Sequence, residues 1–345
     1  MKAVRLRAYG GTDNLLYEDT DDPQLTSPDD AVVRLKAASV NHLDILIRRG
    51  LSSSPLSFPH ILGSDGSGTV SAVGTEVTNL KPGIAVCLYP ASSCGRCESC
   101  QARLEHLCGQ RRLLGERENG TYAEYVRVPA SHCYPIPPGL SFEEAAAFPL
   151  VYATTWRMLF GDAELKPGES VLIVGAGGGI ATAALQVAAS IGTHIIVTSR
   201  SDEKLTMAKK LGAAHGINSR TVDFAREVRN LTNKRGVDVV VDCVGGDGWV
   251  KSFAALTKGG RLVTCGAAAG ANSQADLRRL FWNHLKIFGS MVGSREEFRQ
   301  VLNFMSTTRT KPILDQVFSL KDAARAHERM EAGQHFGKIV LSMEG

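Results

Sequence analysis

The chain lacks any uninterrupted apolar stretch of about 20 residues, the length a membrane-crossing helix requires, which argues against a membrane partner. Charge of one sign is also scarce. Over 345 residues, 39 Lys and Arg stand against 35 Asp and Glu, a net charge of +4. No basic run exceeds two or three residues, so the footprint of a nucleic-acid surface is missing. Repeats, low-complexity tracts and a flexible linker are missing too, and apolar residues (43%) recur along the whole length, which excludes disorder. The first residues, Met1-Lys2-Ala3-Val4-Arg5-Leu6-Arg7, interleave charge with apolar side chains and lack a signal-peptide core. These absences predict a soluble, cytoplasmic globule of about two domains.

Eight cysteines are present, and four of them cluster as Cys94-x2-Cys97-x2-Cys100-x7-Cys108. A disulfide framework belongs to short secreted chains. Short spacings of this kind instead aim several thiolates at one centre, and Gly95 eases the turn. Four thiolates close a tetrahedral zinc site with no open position, so the prediction is one structural Zn2+ per chain.

The first half reads as short strands such as Ala31–Lys36, Gly68–Val73 and Tyr125–Val128, separated by Gly, Pro, Asn and Asp. From Val171 the texture becomes apolar strands alternating with helical patterns. Strands are expected at Val171–Val174, His194–Thr198, Val237–Val244, Arg261–Cys265 and Lys286–Gly289. Ile180, Ala184, Val187 and Ile191 mark one helix, and Leu205, Ala208 and Leu211 another. This β-α-β-α order calls for a doubly wound, Rossmann-type parallel sheet. Ser319-x-x-Asp322 reads as a cap opening a short helix. A final strand, Lys338–Leu341, is expected to rejoin the first domain.

Between the first parallel strand and its helix lies Gly175-Ala176-Gly177-Gly178-Gly179-Ile180-Ala181. Strict G-x-G-x-x-G spacing fails at Ile180, but a G-x-x-G-x-x-A form fits Gly175, Gly178 and Ala181. Glycines there let the backbone approach a pyrophosphate favoured by the helix N-terminus. At the end of the second strand, Thr198-Ser199-Arg200-Ser201 has no acid to hold a ribose hydroxyl pair. Arg200 suits a 2′-phosphate, with Ser199 and Ser201 as further donors, so NADPH is expected over NADH. The alternative is that Arg200 is a solvated surface charge.

The cysteine quartet upstream of this loop resembles the medium-chain dehydrogenase/reductase superfamily, the zinc-containing alcohol dehydrogenase-like proteins. Asn41-His42-Leu43-Asp44, Gly63-Ser64-Asp65-Gly66, Gly120–Val126 and His335–Val340 carry the same resemblance, which covers nearly the whole chain. It implies an α/β protein with a β-rich GroES-like catalytic domain, residues 1–150 and 292–345 with the zinc loop at 94–108. The Rossmann dinucleotide-binding domain would take residues 151–291. It also implies a homodimer or homotetramer. The positions matching the family's catalytic zinc ligands are Asn41, Ser64 and Leu150, none a good ligand, and Leu43 stands where a proton relay begins. Asp44 and Asp65 remain, but carboxylates alone select zinc poorly. The pattern looks like the quinone oxidoreductase-like branch, whose members reduce quinones or activated double bonds with NADPH and no catalytic metal.

Without a metal, a quinone or an α,β-unsaturated carbonyl is the easier acceptor, because charge delocalises as hydride arrives. Asn41 and Asp44 are the candidate catalytic residues at the nicotinamide end. Their alternatives are a turn or helix cap for Asn41 and a structural salt bridge for Asp44. The cofactor-binding candidates are His42, Thr154, Gly175, Gly178, Gly179, Ile180, Ala181, Ser199, Arg200, Lys204, Cys243, Val244, Cys265 and Gly266. His42 reads equally as a buried histidine and Thr154 as a helix hydroxyl. Cys243 and Cys265 read as core residues rather than nucleophiles. The expected partner is a small-molecule substrate. The competing functions are an alcohol dehydrogenase or carbonyl reductase and a non-catalytic NADPH-binding protein.

Overall fold

The computed structural model describes residues 1–52 and 55–344. Two compact units emerge, Met1–Leu150 with Ser294–Gly345, and Val151–Gly293. The chain returns to the first unit at Ser294 rather than 292, because the Gly293 N–H donates to the Ala153 carbonyl (3.2 Å).

In the first unit, Asp30–Val40 is the organising strand, eleven residues long and buried at nearly every position. One side pairs antiparallel with Asp65–Val73. The other side is shared between Tyr125–Pro129 on its first half and Lys338–Ser342 on its second. Alternating Ala31, Val33 and Leu35 meet Val70, Val126 and Val128 in one core, as period-two patterning requires. The C-terminal strand lands where it was expected, and its register sets Ile339 opposite Val40 while Ser39 faces Asp65. The three residues Asn41, Asp65 and Lys338 therefore meet at one end of the sheet. Gly337 makes the entry possible: its φ is +101°, and a Cβ there would sit 2.2 Å from the Ile313 carbonyl oxygen.

Ser319 does not cap a helix with its side chain. It is the last residue of the strand Leu314–Ser319, paired with Ser342, and one 3-10 turn, Leu320–Asp322, precedes the helix Ala323–Glu331.

The second unit carries a six-stranded parallel sheet in the spatial order His215–Asn218, His194–Ser199, Ser170–Val174, Val237–Asp242, Leu256–Thr264, Lys286–Gly289. This is the doubly wound arrangement that the β-α alternation predicts. Val237–Asp242 is buried throughout, as a strand covered on both faces must be. It stops at Asp242, short of the expected Val244, because that carboxylate accepts the N–H groups of Val244 (2.9 Å) and Gly245 (3.0 Å) and turns the chain. Among the described residues no helix is long and apolar enough to cross a membrane.

Candidate active site and metal centre

Asn41 is the N-cap of the helix His42–Arg48, with extended backbone, as its alternative reading anticipated. Its side-chain amide makes no cap hydrogen bond and is committed elsewhere. Asn41 Nδ2 donates to Asp65 Oδ2 (2.8 Å), and the Lys338 ammonium donates to Asn41 Oδ1 (2.5 Å) and to Asp65 Oδ2 (3.2 Å). Ser39 Oγ adds a bond to the same oxygen (3.0 Å), and the Leu150 N–H satisfies Asp65 Oδ1 (2.8 Å). Asp65 is wholly buried and Lys338 only 2% exposed. Burial pulls the Lys338 ammonium below its ordinary pKa, and the Asp65 carboxylate opposes that shift.

These contacts decide whether a catalytic zinc fits. Leu150 does lie beside Asp65, but it contributes only its backbone N–H. Ser64 Oγ is turned to the Leu114 carbonyl (2.7 Å) and has no exposed surface. Both Asp65 oxygens are engaged, one of them by a cation. A zinc ion would need this carboxylate and at least two further nitrogen, sulfur or oxygen ligands, so the donor set does not fit the metal.

Asp44 is placed differently from expectation. It has no exposed surface, and its Oδ2 accepts the Asn41 N–H (2.8 Å) and the Tyr122 hydroxyl (2.9 Å). Facing the core rather than an opening, it positions the Asn41 turn. Tyr122 in turn meets His327 Nε2 (3.2 Å). Since Tyr122 gives its one proton to Asp44, the network assigns the imidazole proton to Nε2, leaving His327 Nδ1 a buried acceptor without a partner among the described residues. Burial raises the Asp44 carboxyl to about 6, against its hydrogen bonds, and lowers His327 to about 3. Tyr122 and Lys338 lie in stretches that carry the family resemblance, and Lys338 also opens an apolar strand with a cation, but neither residue's polar role is marked in the sequence, and His327 has no mark at all. His42 is exposed on the helix's first turn, which removes the reading of it as a buried histidine.

In the second unit the glycine loop leaves Ser170–Val174 and enters the helix Gly179–Ser190. Gly175 has φ +84°, and a Cβ on it would lie 2.7 Å from Val244 Cγ2. Gly178 caps the helix without a side chain, so Gly179, Ile180 and Ala181 open it with amide groups free of a side-chain cap. Arg200 is exposed just past the second strand. Ser199 is buried and accepts the Ser201 N–H (3.1 Å), while Ser201 Oγ accepts the Lys204 N–H (3.3 Å). Both serines thus shape the turn. Thr154 is buried in the helix Pro149–Trp156, and Lys204 is half-buried on the helix Asp202–Lys210. Cys243 and Cys265, with Val244 and Gly266, follow adjacent strands at the sheet's carboxyl edge.

Cys94, Cys97, Cys100 and Cys108 have Sγ atoms all within 4.8 Å of one another, with Cys94 and Cys100 at 3.9 Å. A tetrahedron of bonds about 2.3 Å long needs sulfurs about 3.8 Å apart, so the quartet fits zinc. Backbone N–H groups support the sulfurs: Cys97 N donates to Cys94 Sγ (3.4 Å) and Cys94 N to Cys108 Sγ (3.5 Å). Gly95, with φ +71°, makes the turn between the first two. This is a structural zinc site.

Two outcomes follow from the buried cluster. Lys338→Met strands the Asp65 charge and should cost about 3–5 kcal/mol, read as a lower urea midpoint at unchanged m-value. Adding Asp65→Leu should recover most of it, whereas a single-variant loss below about 1 kcal/mol would mean that the pair is not buried as described. His327 binds its proton in the unfolded chain near 6.5 but in the folded chain only near 3, so its effect is to lose stability as pH falls between those values. Asp44, raised from 3.8 to about 6, acts oppositely over part of that range. Acid titration of His327→Gln should show a midpoint at lower pH than the parent; an unmoved midpoint contradicts the neutral, buried imidazole.

Residues 27–138 match the alcohol dehydrogenase GroES-like domain and residues 179–307 the zinc-binding dehydrogenase family. The zinc-type alcohol dehydrogenase-like protein C1773.06c of Schizosaccharomyces pombe is 34% identical, covering 97% of this chain and 96% of its own length. The NAD-dependent alcohol dehydrogenase of Sulfolobus acidocaldarius is 32% identical over 99% of this chain and its entire length. The crystal structure of an NAD-dependent alcohol dehydrogenase superposes with TM-score 0.96 at 41% identity, covering 99% of this chain and all of that one. These relatives carry alcohol dehydrogenase names rather than quinone oxidoreductase names, so the narrower branch expected from Asn-x-x-Asp and Gly-Ser-Asp-Gly gives way to the broader family. The chain belongs to the medium-chain, zinc-type alcohol dehydrogenase family of oxidoreductases, with a GroES-like unit, a Rossmann-type unit and a four-cysteine structural zinc site.

Proposed function

We propose that this protein moves hydride between a nicotinamide dinucleotide and a carbonyl compound without a catalytic zinc ion. The observation that carries this reading is the engagement of Asp65 by Lys338, Asn41, Ser39 and Leu150 at the positions a zinc would need. When bound, the dinucleotide supplies or accepts the hydride. The amides opening the helix Gly179–Ser190 would take its pyrophosphate, with Gly175 and Gly178 allowing close approach.

Alcohol–carbonyl interconversion is the reading that the relatives' names support. Polarising the carbonyl oxygen then falls to protein donors rather than to a metal. The donor set favours a second reading, reduction of a quinone or an α,β-unsaturated carbonyl, because such an acceptor spreads the arriving charge with little help. For the dinucleotide, the NAD dependence in the relatives' names stands against the acid-free strand end and the exposed Arg200. We favour NADPH on those residues.

The test offers the zinc-loaded protein a primary alcohol, a simple ketone, a short enone and an ortho-quinone with each dinucleotide. Turnover of any member supports the proposal provided that a zinc ion beyond the four-cysteine site is not required. Nucleotide binding without turnover of all four moves the weight to a non-catalytic binder. Arg200→Ala should lower kcat/KM for NADPH about ten- to a hundredfold, the value of one charge-assisted contact, and leave NADH unchanged. Equal losses with both dinucleotides would remove Arg200 from cofactor choice.

A further inference from the structure

The strands Val237–Asp242 and Leu256–Thr264 run in parallel with Val241 opposite Val263. Continuing that register past both strand ends sets Cys243 opposite Cys265, and their Sγ atoms are 3.2 Å apart. Both are free cysteines outside the zinc quartet, and both are partly accessible. The loops that leave the two strands are stitched together: Ala268 N donates to the Cys243 carbonyl (3.2 Å), Ala269 N to that of Val244 (2.7 Å), and Gly246 N to that of Gly270 (3.0 Å). The sulfurs are therefore held face to face by the backbone on either side.

We propose that Cys243 and Cys265 are a redox modification site, a dithiol that peroxides convert reversibly to a disulfide. Neighbouring strands place Cα atoms about 5 Å apart, inside the range a disulfide spans, and closing the sulfurs to about 2.05 Å needs about 1 Å of side-chain movement. The two thiols are unequal. The Cys265 S–H and N–H both favour a thiolate on Cys243 and hold it below the ordinary range, while Cys265 is pushed well above it.

Cys243 is thus the attacking sulfur. Its thiolate attacks one oxygen of a hydroperoxide; the O–O bond breaks, leaving Cys243 as sulfenic acid and releasing the alcohol, or water from hydrogen peroxide, once the leaving oxygen takes up a proton. The Cys265 sulfur then attacks the Cys243 sulfur and the S–O bond breaks. The hydroxide leaves as water with the Cys265 proton. Two thiols lose two electrons together, and the peroxide gains them. A dithiol reductant reverses the bridge by exchange.

The experiment treats the full-length, zinc-loaded chain with hydrogen peroxide, blocks remaining thiols with an alkylating agent, and maps peptides by mass. The expected result is a cross-linked pair of peptides containing Cys243 and Cys265, lighter by two hydrogens and separated by dithiothreitol. In Cys265→Ser, a 1,3-dione probe should trap the sulfenic acid on Cys243. In Cys243→Ser, Cys265 is left without its partner sulfur, and no dithiothreitol-reversible cross-link involving its peptide should form. The proposal is overturned if both cysteines stay fully alkylatable while the zinc-loop cysteines oxidise. It is equally overturned if they oxidise singly to sulfinic acids with no cross-link. Wild-type mapping decides the matter alone should either variant fail to fold.

Discussion

A lysine ammonium and an aspartate carboxylate, both withdrawn from water, hold the first unit's polar centre together. Neither Lys338 nor Asp65 tolerates burial by itself, since an unpaired ion in a protein interior loses several kcal/mol of solvation. Each is answered: Lys338 by Asn41 and Asp65, and Asp65 by Lys338, Asn41, Ser39 and the Leu150 amide. The pairing exists because the last strand lies against the second half of Asp30–Val40. Strand register, ion pair and the turn at Asn41 are one constraint, and Asp44 and Tyr122 extend it into the core.

That constraint also sets the chemistry. Where a zinc-type relative would gather metal ligands, this chain gathers an internal salt bridge whose oxygens are already committed. The loop Cys94–Cys108 is the zinc site, where four thiols and their backbone donors meet the metal's geometry. On the proposed function, hydride transfer rests on positioning a dinucleotide and a substrate, and on how well the substrate itself disperses charge.

The parts legible in the sequence are those written locally. The cysteine quartet, the Gly175–Ala181 loop and the strand-helix alternation each lie within a short stretch, and each is built as its spacing predicts. What escaped depends on residues far apart in the chain. Lys338 meets Asn41 across 297 positions and Tyr122 meets His327 across 205, so neither partner marks the other. Asp44 reads as a candidate catalytic group by type, and only its complete burial shows that it holds a turn. Ser319 reads as a cap until strand pairing claims it, and the short strand His215–Asn218 shows too little alternation to be read at all.

The most direct test of the central claim is the zinc content of the protein, refolded or dialysed with excess zinc and freed of loose metal, measured by mass spectrometry of the native chain. One zinc per chain, abolished by Cys108→Ala, is the predicted result. Two per chain, with one surviving that substitution and released by Asp65→Asn, would mean that the carboxylate held by Lys338 opens to a metal and would contradict the account.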